Sequence, residues 1–440
     1  MTQDAGQLPA CRPALKDLPG NGRIVVAFSG GPDSVCLAAL LTDAGLDRSI
    51  ECIHVDHGLD PDSSGRARMA AELADRLNLD CRVITARVQR KHGIEAGARK
   101  ARYAILADQL QPGDVLVTAH HADDQAETVL MRLIRGSGPA GLAGIPRVRR
   151  FSTGWLARPL LDWTRRDILT WLEAREMKWV EDPANQDPDM DRNYIRQNIM
   201  PAILARWPGA VDSIRRSARL SHGASRVLSE TSVGDLTRFG ASKQRLQRAA
   251  IEWLDEFRCA ELLRHWCHHR GHTSPPASRL EEFIDQARTA ADDRQPEIRW
   301  DESVLRAHDQ YLWLEKVDQV ASDWAEHWSG QSPLTLPGRL GTLQIDPVTD
   351  QLDLEVCLGR PGERIRVAGH SDAVSVRKLM QRAGVPPWHR DLWPRLWRDE
   401  CLVAVGNRWL DVDFATQLER AGATLSWDTE LFLPAVESGS

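Results

Sequence analysis

Short apolar segments alternate with amphipathic helical patterns over the first 200 residues, and this alternation restricts the fold more than any other feature. The apolar segments at residues 23–28, 50–55, 82–88 and 114–119 are predicted strands. Helical patterns follow them in turn at residues 35–44, 66–77, 95–110 and 122–134. Such alternation is typical of a parallel sheet covered by helices on both faces. Ligands of these sheets bind beyond the carboxyl ends of the strands, so we expect function in the residues that follow each strand.

The remaining sequence predicts two further domains. Residues 215–320 have a mainly helical pattern, residues 321–336 are interpreted as a linker, and residues 340–435 mix short strands with one helix near 376–383. Since 440 residues exceed what one ordinary core accommodates, we predict an α/β protein of three domains. They are a Rossmann-like parallel-sheet domain at 1–212, a mainly helical middle domain at 213–335 and a small α+β domain at 336–440.

Composition excludes several classes of protein. No segment approaches the ~18 uninterrupted apolar residues of a membrane helix, and the N-terminal sequence lacks a secretory pattern, so we expect a cytoplasmic protein. The eight cysteines are scattered without a C-x-x-C motif or a nearby pair of histidines at metal-ligand spacing. Buried, reduced thiols are therefore expected rather than disulfides or a zinc site.

The charge is unevenly distributed. The net charge of −6 argues against a nucleic-acid partner, but residues 132–166 contain eight arginines against one acid, Asp162. Residues 359–398 contain nine lysines and arginines against three acids. Local positive charge of this kind is typical of surfaces that bind a polyanion, with a solvated basic face as the alternative.

A glycine-rich turn of sequence SGGPDS follows the first predicted strand and opens the first helix. Its residues are Ser29, Gly30, Gly31, Pro32, Asp33 and Ser34. The two glycines let backbone N–H groups approach an anion, and the helix N-terminus adds partial positive charge. The turn lacks the lysine of a Walker loop, whereas Asp33 favours a pyrophosphate bridged by Mg²⁺. An ordinary tight turn between strand and helix is the alternative.

Acidic and histidine side chains follow the second and fourth predicted strands. Asp56 ends the second strand, and a simple turn-capping role is its alternative. The sequence AHHADDQAET follows the fourth strand, and its Asp124 and Glu127 share one helix face because they lie three residues apart. Two acids with a histidine such as His120 can bind Mg²⁺, hold a cationic amine or accept its proton.

The SGGPDS turn resembles the pyrophosphate loop (PP-loop) of the ATP-pyrophosphatase superfamily, whose members split ATP into AMP and pyrophosphate through an adenylated substrate. Further motifs narrow the resemblance and occur in the order HVDHGL, R-x-x-R-Y, AHHADDQAET, RGSGPAGLAG, RPLL, EDPANQD and RNYIR. Together they are similar to the tRNA(Ile)-lysidine synthetase family, although Asp60 and Ala184 depart from its usual residues. Residues 360–390 separately resemble the C-terminal tRNA-binding domain of that family, while the middle region matches only loosely.

The resemblance implies that ATP, free lysine and the wobble cytidine of an isoleucine tRNA with a CAU anticodon give lysidine, AMP and pyrophosphate. It implies that residues 29–34 bind ATP, that Mg²⁺ lies near Asp33, and that Asp33, His120, Asp124 and Glu127 act in catalysis. We expect Asp124 or Glu127 to attract the lysine ammonium and to relay its proton. The residues assigned to substrate or tRNA are Asp56, Arg102, Arg135, Arg192, Arg196, Arg377, Lys378 and Arg390.

Three alternatives remain open at this stage. They are a tRNA thiolation enzyme of the same superfamily, a synthetase that forms an amide on a small molecule, and a non-catalytic RNA-binding protein. Thiolation enzymes need cysteines near the site, and the other two leave either the basic segments or the glycine turn unexplained. The oligomeric state is not determined by the sequence, a homodimer being one alternative.

Overall fold

Two compact units make up the chain, Met1–Leu228 and Ser229–Ser440. The computed structural model describes residues 15–56, 58, 62–86, 94–180, 191–242, 244–290, 295–317, 320–321, 323–348, 352–359 and 362–429. Within these residues, none of the helices combines the length and the apolar character that a membrane crossing requires.

The first unit contains a six-stranded sheet with the order β3-β2-β1-β4-β6-β5. Its strands are β1 Ile24–Ala27, β2 Ile50–Asp56, β3 Asp80–Thr85, β4 Val115–Val117, β5 Val148–Phe151 and β6 Gly154–Ala157. All neighbours pair in parallel except β5 and β6, which form an antiparallel hairpin at one edge. The predicted Rossmann-like parallel sheet is confirmed, and the hairpin adds two strands that the sequence analysis did not predict.

Helices cover both faces of this sheet because its central strands are apolar on both sides. Ile24 and Val26 pack into one cluster with the first helix, while Val25 faces the opposite cluster with Ile53 and Leu116. The helices of the unit are α1 Pro32–Asp43, α2 Ser63–Arg76, α3 Ile94–Asp108, α4 Ala122–Ile134, α5 Pro139–Leu142, α6 Arg165–Glu173, α7 Asp191–Tyr194, α8 Met200–Arg206 and α9 Ala210–Arg238, which continues into the second unit. A 3₁₀ turn spans Pro159–Asp162, and a π-helical turn spans Ile195–Ile199.

The sheet order places a crevice between β1 and β4. The chain runs from β1 to β2 and β3 on one side and then returns to add β4 on the other side of β1. Ligands of open α/β sheets bind at the point where the strand order reverses in this way. The SGGPDS turn after β1 and the histidines after β4 therefore lie at the same edge of the sheet.

The second unit begins with helices and an antiparallel sheet. The helices are α10 Ala249–Trp253, α11 Glu256–His269 and α12 Ala277–Thr289, and the strands are β7 Arg245–Gln247, β8 Glu297–Trp300, β9 Ser303–His308 and β10 Tyr311–Lys316. The strands form a sheet of order β7-β10-β9-β8 whose apolar face packs on the helices around Trp266 and Phe283. The helical region was predicted, but this sheet was not. Its short strands contribute alternating apolar residues that also fit a helical pattern over so few positions.

The C-terminal strands form three small antiparallel sheets. The strands are β11 Ala325–Trp328, β12 Leu334–Thr335, β13 Thr342–Asp346, β14 Leu354–Cys357, β15 Arg364–Ile365, β16 Val374–Ser375, β17 Arg395–Arg398, β18 Cys401–Val405, β19 Trp409–Leu410 and β20 Thr424–Asp428. Three helices accompany them, namely α13 Val376–Arg382, α14 Pro387–Arg390 and α15 Val412–Arg420. The strands predicted near 343 and 402 and the helix near 376 are present.

The predicted linker at residues 321–336 requires a correction. β11 pairs with β14, β12 pairs with β13, and the indole of Trp328 is buried in the C-terminal core. Because these strands complete sheets of the C-terminal fold, that fold begins before Ala325. The boundary predicted between residues 212 and 213 falls inside the continuous helix α9 and stays a prediction.

Candidate functional site

The SGGPDS turn is held in shape by its own two serines. The hydroxyls of Ser29 and Ser34 lie 3.1 Å apart, and the Ser34 hydroxyl donates to the carbonyl of Gly31 at 2.9 Å. The N–H of Gly31 donates to Ser29 Oγ at 3.3 Å. Pro32 begins α1, whose N-cap Gly31 has no side chain to satisfy the first N–H groups. The turn therefore directs backbone donors and a helix N-terminus into the crevice, which suits a polyphosphate.

Gly30 is required by the backbone of the turn. Its φ of +79° lies in the left-handed region, and a Cβ there would come within 3.0 Å of Ala70 Cβ. The Gly30 carbonyl also accepts a hydrogen bond of 2.9 Å from the N–H of Val180. A side chain at this position would strain the backbone and press on α2.

Asp33 connects the turn to the residues that follow β4. Its carboxylate lies 3.8 Å from Nε2 of His121 and 3.6 Å from a guanidinium nitrogen of Arg165. The Oδ1 atom is buried and accepts no hydrogen bond from the described part of the chain. Burial raises the pKa of Asp33, and His121 and Arg165 only partly oppose it. This oxygen is therefore poised to contact a cation or a hydrogen-bond donor of a ligand.

His121 is a site residue that the sequence analysis did not select. Its ring is fully buried among three carboxylates, lying 3.4 Å from Asp123, 3.5 Å from Asp124 and 3.8 Å from Asp33. Burial lowers the pKa of His121, but the three carboxylates outweigh this effect and raise it overall. The doubled histidine in AHHADDQAET indicated a site, but only the fold distinguishes the two rings.

His120, the histidine that we predicted to be catalytic, has the opposite electrostatics. Its Nδ1 lies 2.9 Å from the hydroxyl of Thr118. Most of the ring is surrounded by protein, although part of the residue remains accessible to solvent. Burial lowers the pKa of His120 to about 3. At neutral pH this imidazole is uncharged, so it can accept a hydrogen bond rather than act as a cation.

Asp124 and Glu127 are bound by the two arginines of the RNYIR motif. Arg192 and Arg196 together donate five hydrogen bonds of 2.6–3.0 Å to the two carboxylates. The arginines are four residues apart across the join of α7 and the π-helical turn, so both point at α4. The pKa of Asp124 is lowered, because the nearby His121 and Arg192 and the hydrogen bond from the N–H of His121 outweigh the opposing effect of burial.

This acid–arginine network changes the interpretation of four predicted residues. We expected Asp124 or Glu127 to attract a lysine ammonium and Arg192 and Arg196 to contact substrate or tRNA. The structure brings all four together in one network instead. The two acids therefore bind protein cations, and the guanidiniums, which are about a quarter to a third exposed, are held at the site.

The RGSGPAGLAG segment is anchored to α4 rather than free. Arg132 donates 2.7 Å hydrogen bonds to the carbonyls of Gly141 and Gly144, and the side chain of Gln125 bonds to the backbone of Ile145. Arg135, by contrast, is exposed and forms a surface ion pair with Asp191 at 3.0 Å. Among the basic residues of this segment, Arg135 is thus placed to contact a ligand from solvent.

Asp56 and Arg102 lie near the carboxyl end of β2. Asp56 ends the strand and accepts a 2.9 Å hydrogen bond from the N–H of Gly58, which is a turn-capping contact. Arg102 is exposed on α3 and contributes to lowering the pKa of the buried His54, although burial is the main cause. The EDPANQD motif at residues 181–187 lies outside the described residues.

The basic residues predicted in the C-terminal fold occupy a short helix and its neighbour. Arg377 and Lys378 are exposed on α13. Arg390 is half-buried on α14 and donates to the carbonyl of Val385 at 3.0 Å. Burial and the nearby charge of Arg377 lower the pKa of Arg390. Of these three residues, Arg377 and Lys378 are the more exposed to solvent.

Cysteines do not line the crevice in the described part of the chain. Cys36 and Cys52 are fully buried in the core, and burial raises the pKa of the Cys52 thiol far above its usual range. Cys81 is half-buried on β3, and its pKa is raised as well. Thiols with raised pKa values are poor nucleophiles and poor metal ligands.

Comparisons with known proteins agree with this arrangement. Residues 10–203 match a family described as the PP-loop domain, residues 246–313 match the TilS substrate binding domain, and residues 354–427 match the TilS substrate C-terminal domain. A tRNA(Ile)-lysidine synthase of Methylococcus capsulatus is 38% identical over 422 residues, which cover 91% of this chain and 95% of that protein. One from Alkalilimnicola ehrlichii is 36% identical and covers 87% of this chain and 88% of its own length.

Among solved structures, the U34-tRNA thiolase NcsA from Methanococcus maripaludis overlaps with part of the chain. The overlap has a TM-score of 0.41 at 19% identity and covers 48% of this chain and 78% of that one. At this level, the overlap supports no statement about activity.

Proposed function

This chain belongs to the tRNA(Ile)-lysidine synthase family, and on that basis we propose how its residues carry out the reaction of the family. It is a ligase that uses ATP to join lysine to the wobble cytidine of an isoleucine tRNA. The observation that carries the proposal is the contact between the PP-loop and α4. Asp33 and His121 connect the turn after β1 with the charged residues after β4 at one crevice.

We propose that residues 29–34 hold the triphosphate of ATP. The backbone N–H of Gly30 and the hydroxyl of Ser29 would contact phosphate oxygens, while the N–H of Gly31 and the hydroxyl of Ser34 hold the turn in shape. Arg165 and His121, whose pKa is raised by the surrounding carboxylates, lie close enough to Asp33 to help balance the charge of the departing pyrophosphate. The loop itself has no lysine, so we propose that positive charge comes from these side chains of other elements.

Mg²⁺ fits this site through Asp33. The buried Oδ1 without a hydrogen bond is a hard oxygen ligand at the mouth of the loop. The described residues contain no cluster of three or more His, Cys, Asp or Glu side chains that could hold a metal ion, so phosphate oxygens and water would supply the other ligands. When bound, the ion would neutralise charge on the phosphates.

Lysine must lose a proton to solvent water before its amine attacks the adenylated base and displaces AMP, because its side-chain pKa is ~10.4. We propose that the neutral His120 accepts a hydrogen bond from this amine and orients it, since Thr118 already binds the other ring nitrogen. Asp124 and Glu127 would act indirectly, by holding Arg192 and Arg196 against the site. This replaces the direct contact with the lysine ammonium that the sequence suggested.

Binding of tRNA is proposed to involve the exposed basic residues of both units. Arg102 and Arg135 belong to the first unit, and Arg377 and Lys378 belong to the C-terminal fold. Asp56 and Arg390 instead form hydrogen bonds with the nearby backbone of Gly58 and Val385, respectively. Each phosphate contact should weaken as salt increases. We also expect a cytoplasmic location, where the tRNA substrate, ATP and free lysine occur together.

A single assay tests the function. Purified protein is incubated with radiolabelled ATP, and release of AMP and incorporation of lysine into tRNA are measured together. We expect AMP release to require both free lysine and unmodified isoleucine tRNA. The matched controls are the same tRNA carrying uridine at the wobble position and the same reaction without lysine.

The outcomes separate the proposal from its alternatives. Sulfur incorporation from a sulfur donor in place of lysine would identify a thiolation enzyme, which the buried Cys36 and Cys52 disfavour. AMP release without tRNA would indicate a small-molecule synthetase. Binding of tRNA without any ATP cleavage would indicate a non-catalytic protein. Each of these results contradicts lysidine formation.

A further inference from the structure

An apolar groove opens beside the acid–arginine network, on the outer end of the same helices. Met131 and Ile134 line it from α4, Arg135 lines it directly after the end of that helix, and Tyr194 and Ile199 line it from the opposite wall. Its volume is about 330 Å³, which lies at the lower end of the range for pockets that hold a small planar group. The groove is therefore large enough for one aromatic ring.

Large apolar side chains are unusually exposed at this groove. Tyr194 is 54% exposed and Ile134 is 71% exposed, although both neighbour residues of a packed core. Water-exposed apolar groups that cluster in this way typically mark a site that is covered by a ligand. Within the described residues nothing covers the phenol ring of Tyr194, so its face is available for stacking.

The rim of the groove favours a nucleic-acid base over a peptide. Arg135 lies at the mouth, where its ion pair with Asp191 is mostly exposed and contributes little stability. The guanidinium can therefore exchange Asp191 for a phosphate at low cost. Proteins that bind single-stranded RNA commonly place an exposed aromatic ring beside an arginine. A base stacks on the ring, and the guanidinium binds the phosphate backbone.

The groove lies about two turns of α4 away from the acid–arginine network. Glu127 and Ile134 are seven residues apart on α4, which corresponds to about 10 Å along the helix axis. Stacked nucleotides advance ~3.4 Å each, so this length spans about three of them. A nucleotide close to the reacting base in the same loop could therefore reach the groove.

We propose that this groove binds one unpaired base of the anticodon loop, neighbouring the wobble cytidine, by stacking it on Tyr194. This inference rests on the proposed function, since it assumes that the anticodon loop enters the crevice. The phosphate beside that base contacts Arg135. Holding a neighbouring base keeps the loop unstacked and presents the cytidine to the PP-loop, which offsets part of the unstacking cost.

The test measures the affinity of full-length protein for unmodified isoleucine tRNA. Loss of one stacking contact should weaken binding by Tyr194→Ala about 5- to 140-fold. Tyr194→Phe keeps the ring and should stay within about 2-fold of the unaltered protein. A thermal melt by circular dichroism shows whether each variant is folded, and the Kd for ATP should not change in either.

A set of tRNAs, each lacking one base of the anticodon loop, identifies the occupant. At the position that stacks on Tyr194, the abasic tRNA should bind the unaltered protein and Tyr194→Ala equally well, because the contact is already absent. At the other positions the difference between the two proteins should persist. Equal binding of intact tRNA by Tyr194→Ala would overturn the inference. A penalty that persists with every abasic tRNA would also overturn it, because Tyr194 would then support tRNA binding without stacking on any single base of the loop.

The two levels of the proposal fail separately. If the unaltered protein incorporates no lysine into isoleucine tRNA, the proposed function is wrong whatever Tyr194 does. If lysidine forms normally and Tyr194→Ala binds tRNA as tightly as the unaltered protein, only the groove assignment is wrong.

Discussion

Replacing Glu127 by glutamine tests whether the acid–arginine network acts by positioning. The Glu127 carboxylate is 1% exposed and accepts three hydrogen bonds, two from Arg196 and one from Arg192. Glutamine has the same shape but presents one oxygen and one NH₂ group. Because all partners are donors, the NH₂ group must face a guanidinium N–H, so at least one hydrogen bond is lost together with the negative charge.

The expected cost follows from these contacts. A hydrogen bond to a charged group contributes about 1.5–3 kcal/mol, and breaking a buried ion pair costs about 3–5 kcal/mol. The side chains of Arg192 and Arg196 are 25% and 32% exposed, so water compensates part of the loss. We therefore expect Glu127→Gln to destabilise the packing of α4 against α7 by about 2–3 kcal/mol.

Hydrogen–deuterium exchange measures this local opening directly. Amides of residues 122–134 and 191–206 should exchange about 30- to 140-fold faster in Glu127→Gln, while the sheet strands keep their protection. Glu173→Gln is the matched control, because Glu173 is an exposed glutamate on α6 of the same unit. Its exchange should equal that of the unaltered protein.

The opposite result would refute the positioning role. If Glu127→Gln leaves exchange unchanged but raises the KM for lysine, Glu127 contacts the lysine ammonium directly. The guanidinium contacts would then be replaced when substrate binds.

Three further predictions concern other parts of the chain. Gly30→Ala should raise the Kd for ATP, measured by titration, and lower the free energy of unfolding by about 1–2 kcal/mol or more, measured by thermal melts. Gly45→Ala is the control, because Gly45 also has a positive φ but free space around it, and this change should leave ATP binding unchanged. Glu363→Gln removes the negative charge that pairs with the buried Arg395, which keeps hydrogen bonds only to the carbonyls of Trp393 and Arg390 among the described residues. Chemical denaturation should show a loss of about 3–5 kcal/mol in the stability of the C-terminal fold, and an unchanged ATP affinity checks the first unit. Burial lowers the pKa of His120 to about 3, so near pH 6.5 the unfolded chain takes up a proton that the folded chain does not. The free energy of unfolding therefore falls as pH decreases below 6.5. Between pH 7.5 and pH 5, the free energy of unfolding of His120→Gln should rise by up to about 2 kcal/mol relative to that of the unaltered protein.

The exposed basic residues allow a test of the tRNA surface. Arg377→Ala with Lys378→Ala should reduce tRNA affinity and flatten its dependence on salt, because fewer phosphate contacts remain. Arg420→Ala, an exposed arginine on α15 of the same fold, is the control. Equal loss in the control would indicate diffuse attraction rather than a defined surface.

Counts of basic residues along the sequence overestimated the charge that is available to RNA. Arg132 is used to hold carbonyls of its own loop, and Arg158 is buried with its guanidinium on the carbonyl of Pro146. Arg395 is buried against Glu363. Arginine donates several hydrogen bonds and carries an apolar stem, so it serves as an internal brace as readily as a phosphate ligand. Sequence position does not distinguish these uses.

The sequence by itself determined the features whose causes are local. The apolar strands specify a covered parallel sheet, and the glycines and serines of residues 29–34 specify a tight turn that opens the first helix, because these properties depend on neighbours within a few positions. The order of the motifs then identified the family without any knowledge of contacts.

Only the tertiary structure decided which charges meet. Arg192 and Arg196 reach Asp124 and Glu127 across 65 to 72 residues of sequence, and His121 rather than His120 lies among the carboxylates. The sign and strength of electrostatic effects depend on distance and on access to water, both of which are set by packing. Identical residue types in one motif can therefore have pKa values shifted in opposite directions, as the two adjacent histidines do.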